Sequence, residues 1–175
     1  MRLRKLDRRA WLWTLGLCVF ALVLSFGLSG PIQGALQSVR FYTPPRAFAD
    51  FMAQAVQTRD EFLGVSLQGN WVLLLYFLAI LFFLNILGEE LWWRGIILPR
   101  QELVHGRMTW LIHGVLWTAF HVFYHNNLGS VAAMLPGTCA LSYVCQRTQS
   151  TWPGIMGHFV TNLGIPVLLL RGIVG

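Results

Sequence analysis

Five apolar stretches separated by short polar turns, residues 11–28, 71–98, 109–124, 128–145 and 152–170, constrain this chain more than any other feature. Crossing a bilayer takes roughly 20 mostly apolar residues, or about 30 Å of helix. Lipid offers no partner for backbone N–H and C=O groups, so a stretch that spans it must satisfy them internally, as a helix does. The expected fold is all-α: a polytopic transmembrane bundle of about five spans. Only 11% of the 175 residues are charged and 55% are hydrophobic, whereas a soluble domain carries about a quarter charged residues. Little chain remains for a soluble domain. Trp11, Trp71, Trp110 and Trp152 stand near span ends, where interfacial anchors belong.

The net charge of +6 could suggest nucleic acid, but its placement argues otherwise. Arg2, Arg4, Lys5, Arg8 and Arg9 cluster before the first apolar run, the flank of a span's cytoplasmic end. No basic groove with interleaved aromatics follows. An N-in arrangement puts these five with Arg100, Arg107 and Arg147 on the cytoplasmic side, and only Arg40, Arg46, Arg59 and Arg171 outside. The first run is long for a signal peptide, and no clear A-x-A site follows it. Cys18, Cys139 and Cys145 lie in apolar runs without metal or CxxC spacing, and read as buried unpaired thiols.

Between the first two spans the chain is more polar. After Pro44-Pro45, the residues Phe48, Phe51, Met52, Ala55 and Val56 fall on one helical face opposite Asp50, Gln54 and Gln57. This pattern predicts an amphipathic helix along the membrane surface. The chain then divides into residues 1–70, the first span and interfacial helix, and residues 71–175, a transmembrane core. A kink is expected at Pro136-Gly137 in the fourth span.

Ionisable side chains inside a span are costly, and so are functional candidates by default. The second span carries Glu89, Glu90 and Arg94. Glu90 and Arg94 are i and i+4 with the acid first, the favourable order for a pair, and are assigned structural support. Glu89 then faces about 100° away, with Asn85 one turn before it to hydrogen-bond its carboxylate. If spans two and three form a hairpin turning near His105, Glu89 and His121 lie sixteen residues to either side. Both are then roughly 24 Å of helix from the tip. Carboxylate and imidazole together can activate a water as general base. In the fifth span His158 and Asn162, again i and i+4, put two donors on one face, as an oxyanion hole requires. His105 and His125 fall in turns and are expected to be solvated, and His113 points away from His121.

Gly88-Glu89-Glu90-Leu91-Trp92-Trp93-Arg94-Gly95 resembles the EExxxR motif of the CPBP family, the CAAX proteases and bacteriocin-processing enzymes. Trp117-Thr118-Ala119-Phe120-His121 matches that family's FxxxH motif with Trp for Phe, and His158-Phe159-Val160-Thr161-Asn162 matches its HxxxN motif. The three occur in the family's order and spacing. The resemblance implies an intramembrane endopeptidase of the glutamic type. Glu89 and His121 would activate water, His158 and Asn162 would stabilise the oxyanion, and Glu90 and Arg94 would hold the second span. It implies no metal and no cofactor; zinc on Glu89, His121 and His158 is the alternative that uses the same residues. It implies a membrane-anchored protein or peptide substrate: a C-terminal sorting signal, a prenylated terminus or a peptide precursor. The expected setting is a bacterial inner membrane. The competing class is a non-enzymatic membrane protein, an immunity factor or scaffold, that uses the polar cluster for helix packing. An ion or proton carrier would need polar groups reaching both faces, and the first and fourth spans offer few.

Overall fold

The computed structural model describes residues 2–43, 45–46, 60–122 and 125–175. The amphipathic stretch expected over residues 48–56 lies outside the described residues. Helix α1 (Arg8–Leu36) starts at Asp7, whose carboxylate accepts from the Ala10 N–H at 2.7 Å. This N-cap satisfies one of the helix's orphan donors. Its buried positions Ala10, Thr14, Leu17, Ala21 and Leu24 recur at steps of four and three, one face of a helix. A wider π turn over Leu24–Leu28 interrupts its second half.

A helical run of 50 residues, Trp71–Phe120, follows. Straight, it would be about 75 Å long, but it folds back on itself. Trp117 Nε1 lies 3.2 Å from Glu89 Oε2, 28 residues away in sequence. The reversal is at Gly106, with φ 55° and ψ −126°, a conformation that glycine adopts readily because it lacks Cβ. The two arms are α2 (residues 71–105) and α3 (Thr109–Phe120). Thr109 Oγ1 closes the turn by donating to the Gly106 carbonyl at 2.8 Å. Within α2, π turns at Leu81–Leu87 and Trp93–Ile97 flank Gly88–Trp92. The second precedes Pro99, whose missing N–H disrupts the α ladder there.

Helix α4 (Leu128–Thr148) continues as one helix through Pro136. The expected fifth span is two helices, α5 (Trp152–Thr161) and α6 (Gly164–Val174), bent by 48°. The unbroken apolar run over residues 152–170 predicts one continuous helix there. The break is explained by Asn162, Gly164 and Pro166, three poor interior helix formers within five positions. Among the described residues, three helical runs are long and apolar enough to cross a membrane, or four if the bent pair counts as one span. Exposed Leu12 and Val19 on α1, and Val72, Leu75 and Leu84 on α2, give the exterior the apolar character that lipid requires. The chain is an integral membrane protein.

Two networks mark the ends of the bundle. At one, the N-terminal segment docks on the turns: Arg2 pairs with Glu102, the Thr151 N–H donates to the Arg2 carbonyl at 2.7 Å, and Ser150 Oγ donates to the Arg4 carbonyl at 2.9 Å. At the other, Leu128 N–H donates to the Val39 carbonyl at 2.8 Å and Phe41 N–H to the Asn126 carbonyl at 2.9 Å. A short hairpin, β1 (Glu61–Phe62) with β2 (Val65–Ser66), buries Phe62 with Leu67 against Leu74, Leu169 and Ile173.

Candidate active site

Two carboxylates adjacent in sequence have opposite surroundings. Glu90 is fully buried, and its Oε1 accepts from Arg94 at 2.8 Å and from His158 Nδ1 at 3.0 Å. Among the described residues, the Arg94 Nε and NH2 atoms have no hydrogen-bond partner. The guanidinium instead lies over the Trp117 ring, its Cζ 3.5 Å from the centroid. That cation–π contact compensates for part of its lost hydration. The pairing expected of Glu90 and Arg94 is present, with His158 joined to it.

Glu89 faces a cavity. Its Oε1 accepts from Asn85 Nδ2 at 2.7 Å, as the one-turn spacing predicts, and its Oε2 accepts from the Trp117 indole at 3.2 Å. His121 Nε2 stands 3.8 Å from the same Oε2. His121 Nδ1 lies 2.7 Å from the Trp117 carbonyl. A carbonyl only accepts, so the Nδ1 must carry the proton, and the lone pair of the neutral ring is on Nε2. At 3.8 Å the carboxylate and imidazole are beyond direct hydrogen-bond reach but suitably spaced to share a water. The hairpin therefore brings together Glu89 and His121, which the sequence placed at equal depth.

His158 and Asn162 also line this cavity, of about 450 Å³. With Nδ1–H given to Glu90, His158 presents Nε2, which donates only when the ring is doubly protonated. The Asn162 amide donates to the His158 carbonyl at 3.0 Å, so it is held at its own helix end. His113 is apart, as expected: it is buried, with Nδ1 2.6 Å from Gln101 Oε1. His105 is exposed. His125 is a correction. It is half-buried rather than solvated, its ring stacks at 6.5 Å on His121, and it lines the cavity. The cause is the pairing of residues 39–41 with 126–128, which folds that turn over the bundle.

Trp117 is the residue whose role the sequence concealed. It touches Glu89, Arg94, His121 and His158 and is 2% exposed. A buried tryptophan must place its N–H on an acceptor, and that rule pointed to the nearby acids.

Among the described residues, no group of three His, Cys, Asp or Glu side chains could hold a metal ion. The zinc alternative on Glu89, His121 and His158 finds no such grouping among the described residues, although the Nδ1 contacts of His158 with Glu90 and of His121 with Trp117 leave Nε2 as the nitrogen of each ring able to ligate.

Gly154 is where α5 meets the buried pair. A Cβ there would overlap Glu90 Oε2 and lie 2.9 Å from Cys145 Sγ. Gly154→Ala is expected to cost about 1–3 kcal/mol, the usual penalty for overpacking. Gly16→Ala, which meets open space, is the control. Thermal unfolding in detergent checks this, and equal midpoints for the two variants would contradict it.

A family model described as "Type II CAAX prenyl endopeptidase Rce1-like" matches residues 71–164, which include all three motifs. Curated proteins and solved structures yield no match.

Proposed function

Because the chain belongs to the family of Rce1-like type II CAAX prenyl endopeptidases, we propose that it hydrolyses a peptide bond beside the membrane anchor of a protein substrate. The family is one of proteases, and its activity lies within the membrane. The observation that carries the finer reading is Glu89 Oε2 and His121 Nε2 held 3.8 Å apart at a cavity wall. The other polar contacts of Glu89, from Asn85 and Trp117, hold its carboxylate toward His121. In this reading a water between the two loses its proton to Glu89 while its oxygen bonds to the scissile carbonyl carbon. His121 orients that water. The C–N bond then breaks, and the proton passes to the leaving amine nitrogen.

The oxyanion would be met by doubly protonated His158 and by Asn162 turning its amide from the His158 carbonyl. That turn leaves no orphan, because Thr161 Oγ1 at 2.8 Å and the Asn162 N–H at 3.2 Å also donate to that carbonyl. Glu90 and Arg94 support the site by fixing His158 and Trp117. In this reading the two hairpin arms cross separately, which makes five crossings with the other spans. The basic cluster supports an N-terminus on the cytoplasmic side, and the membrane in this reading is a bacterial inner membrane. A folded soluble protein cannot carry its backbone to Glu89, so the substrate has an apolar anchor.

Cells lacking this protein should accumulate membrane-anchored precursors that share an apolar segment beside the missing cut. Accumulation of soluble proteins without such a segment would defeat the reading. Cleavage by the purified protein should persist through chelation, since the mechanism uses no metal. Loss of activity on chelation, restored by zinc, would contradict it.

A further inference from the structure

The family match begins at residue 71, yet one wall of the site comes from α1. Between Leu24 and Gln33 the only polar side chains are Ser25, Ser29 and Gln33, spaced four apart, and all three line the cavity. Positions i, i+4 and i+8 share a helix face. Ser29 Oγ donates to the Ser25 carbonyl at 2.7 Å, the usual resting contact of a serine in a helix. Ser25 Oγ and the Gln33 carboxamide have no hydrogen bond to any described residue. A lipid-embedded helix gains nothing from three aligned polar groups unless something polar lies against them.

The strip also has a direction. The cavity draws on residues 24–33 of α1 and 130–141 of α4, with His121, His125 and Asn162. None of its lining comes from the N-terminal segment or from the turns it docks on, near Glu102 and Ser150. Gln33 is exposed, one turn before the end of α1, close to where residues 39–41 meet 126–128. The cavity thus runs from Glu89 toward the membrane face opposite the N-terminus.

We propose that Ser25, Ser29 and Gln33 bind the backbone of an extended substrate segment that enters from that opposite face. The inference rests on the protease reading of the site. An unwound peptide in lipid carries unsatisfied N–H and C=O groups costing several kcal/mol each. Hydroxyl and carboxamide groups both donate and accept, so they can pair with either, whatever the side chains. The strip spans eight residues of helix, about 12 Å, which matches three to four residues of extended chain at about 3.3 Å each. With a cytoplasmic N-terminus, the substrates are proteins whose scissile segment lies on the non-cytoplasmic side.

The test places a photocrosslinking amino acid at position 33, or at exposed, outward-facing Leu22, in cells whose only copy carries Glu89→Gln. Position 33 should capture the precursor that accumulates in those cells, and position 22 should not. If precursors accumulate but position 33 captures none, or both positions capture equally, the strip assignment fails and the protease reading stands. If no precursor accumulates, the protease reading fails and the strip assignment falls with it. Gln33→Leu should raise KM for the precursor about tenfold, as expected for loss of about 1.4 kcal/mol, with kcat within about twofold; an unchanged KM would overturn the proposal. In sealed vesicles, an impermeant maleimide should label Gln33→Cys from the side opposite an N-terminal tag. Labelling from the tagged side would overturn the entry direction.

Discussion

Replacing Glu90 with glutamine is expected to destabilise the protein severely, at a cost of about 3–5 kcal/mol, the range for removing one partner of a buried ion pair. Both side chains are fully buried, and Glu90 Oε1 accepts from Arg94 and from His158. Glutamine preserves the shape and one acceptor oxygen but leaves the Arg94 charge uncompensated. Trp117, beneath that guanidinium at 3.5 Å, cannot replace a carboxylate. Its displacement would also disturb the indole N–H on Glu89. Folded yield and the thermal midpoint in detergent should both fall well below those of Glu89→Gln. Equal midpoints for the two variants would show that the buried pair is not what holds α2 to α5.

Much of this arrangement was legible in the sequence wherever it depended on local helical spacing. Asn85 with Glu89, and Glu90 with Arg94, are i and i+4 pairs, and both bonds are present at 2.7 and 2.8 Å. The approach of His121 to Glu89 followed from counting outward from a turn near His105, and the chain reverses at Gly106. What depends on relative rotation of helices was not legible. The π turns on either side of Gly88–Trp92 alter the facing of α2 by amounts that a 3.6-residue period does not contain. The bond of His158 to Glu90 crosses 68 residues and two helices. The sequence reading gave His158 a role at the oxyanion but missed its anchor. The FxxxH comparison treated Trp117 as one aromatic for another, and so overlooked the N–H that phenylalanine lacks. His125 was read from its place in a turn, and backbone pairing with residues 39–41 covers that turn.

Glu89→Gln is expected to fold as the parent does and to lose cleavage by at least about 10²–10⁴-fold, the contribution typical of a positioned general base. The amide is close in shape to the carboxylate. Its oxygen can still accept from Asn85 or Trp117, so the structural loss is about one hydrogen bond, roughly 1 kcal/mol. It cannot take a proton from water. Glu89 is also 22% exposed at its side chain, where Glu90 is fully buried, so removing its charge leaves no buried partner unpaired. The most direct measurement follows a precursor that accumulates in cells lacking the protein, incubated with purified wild-type or Glu89→Gln protein in bilayers made up in ¹⁸O-labelled water. Mass spectrometry of the new C-terminus should show one ¹⁸O in the wild-type product and no product from the folded variant. Cleavage by Glu89→Gln at a rate near wild type would contradict the account.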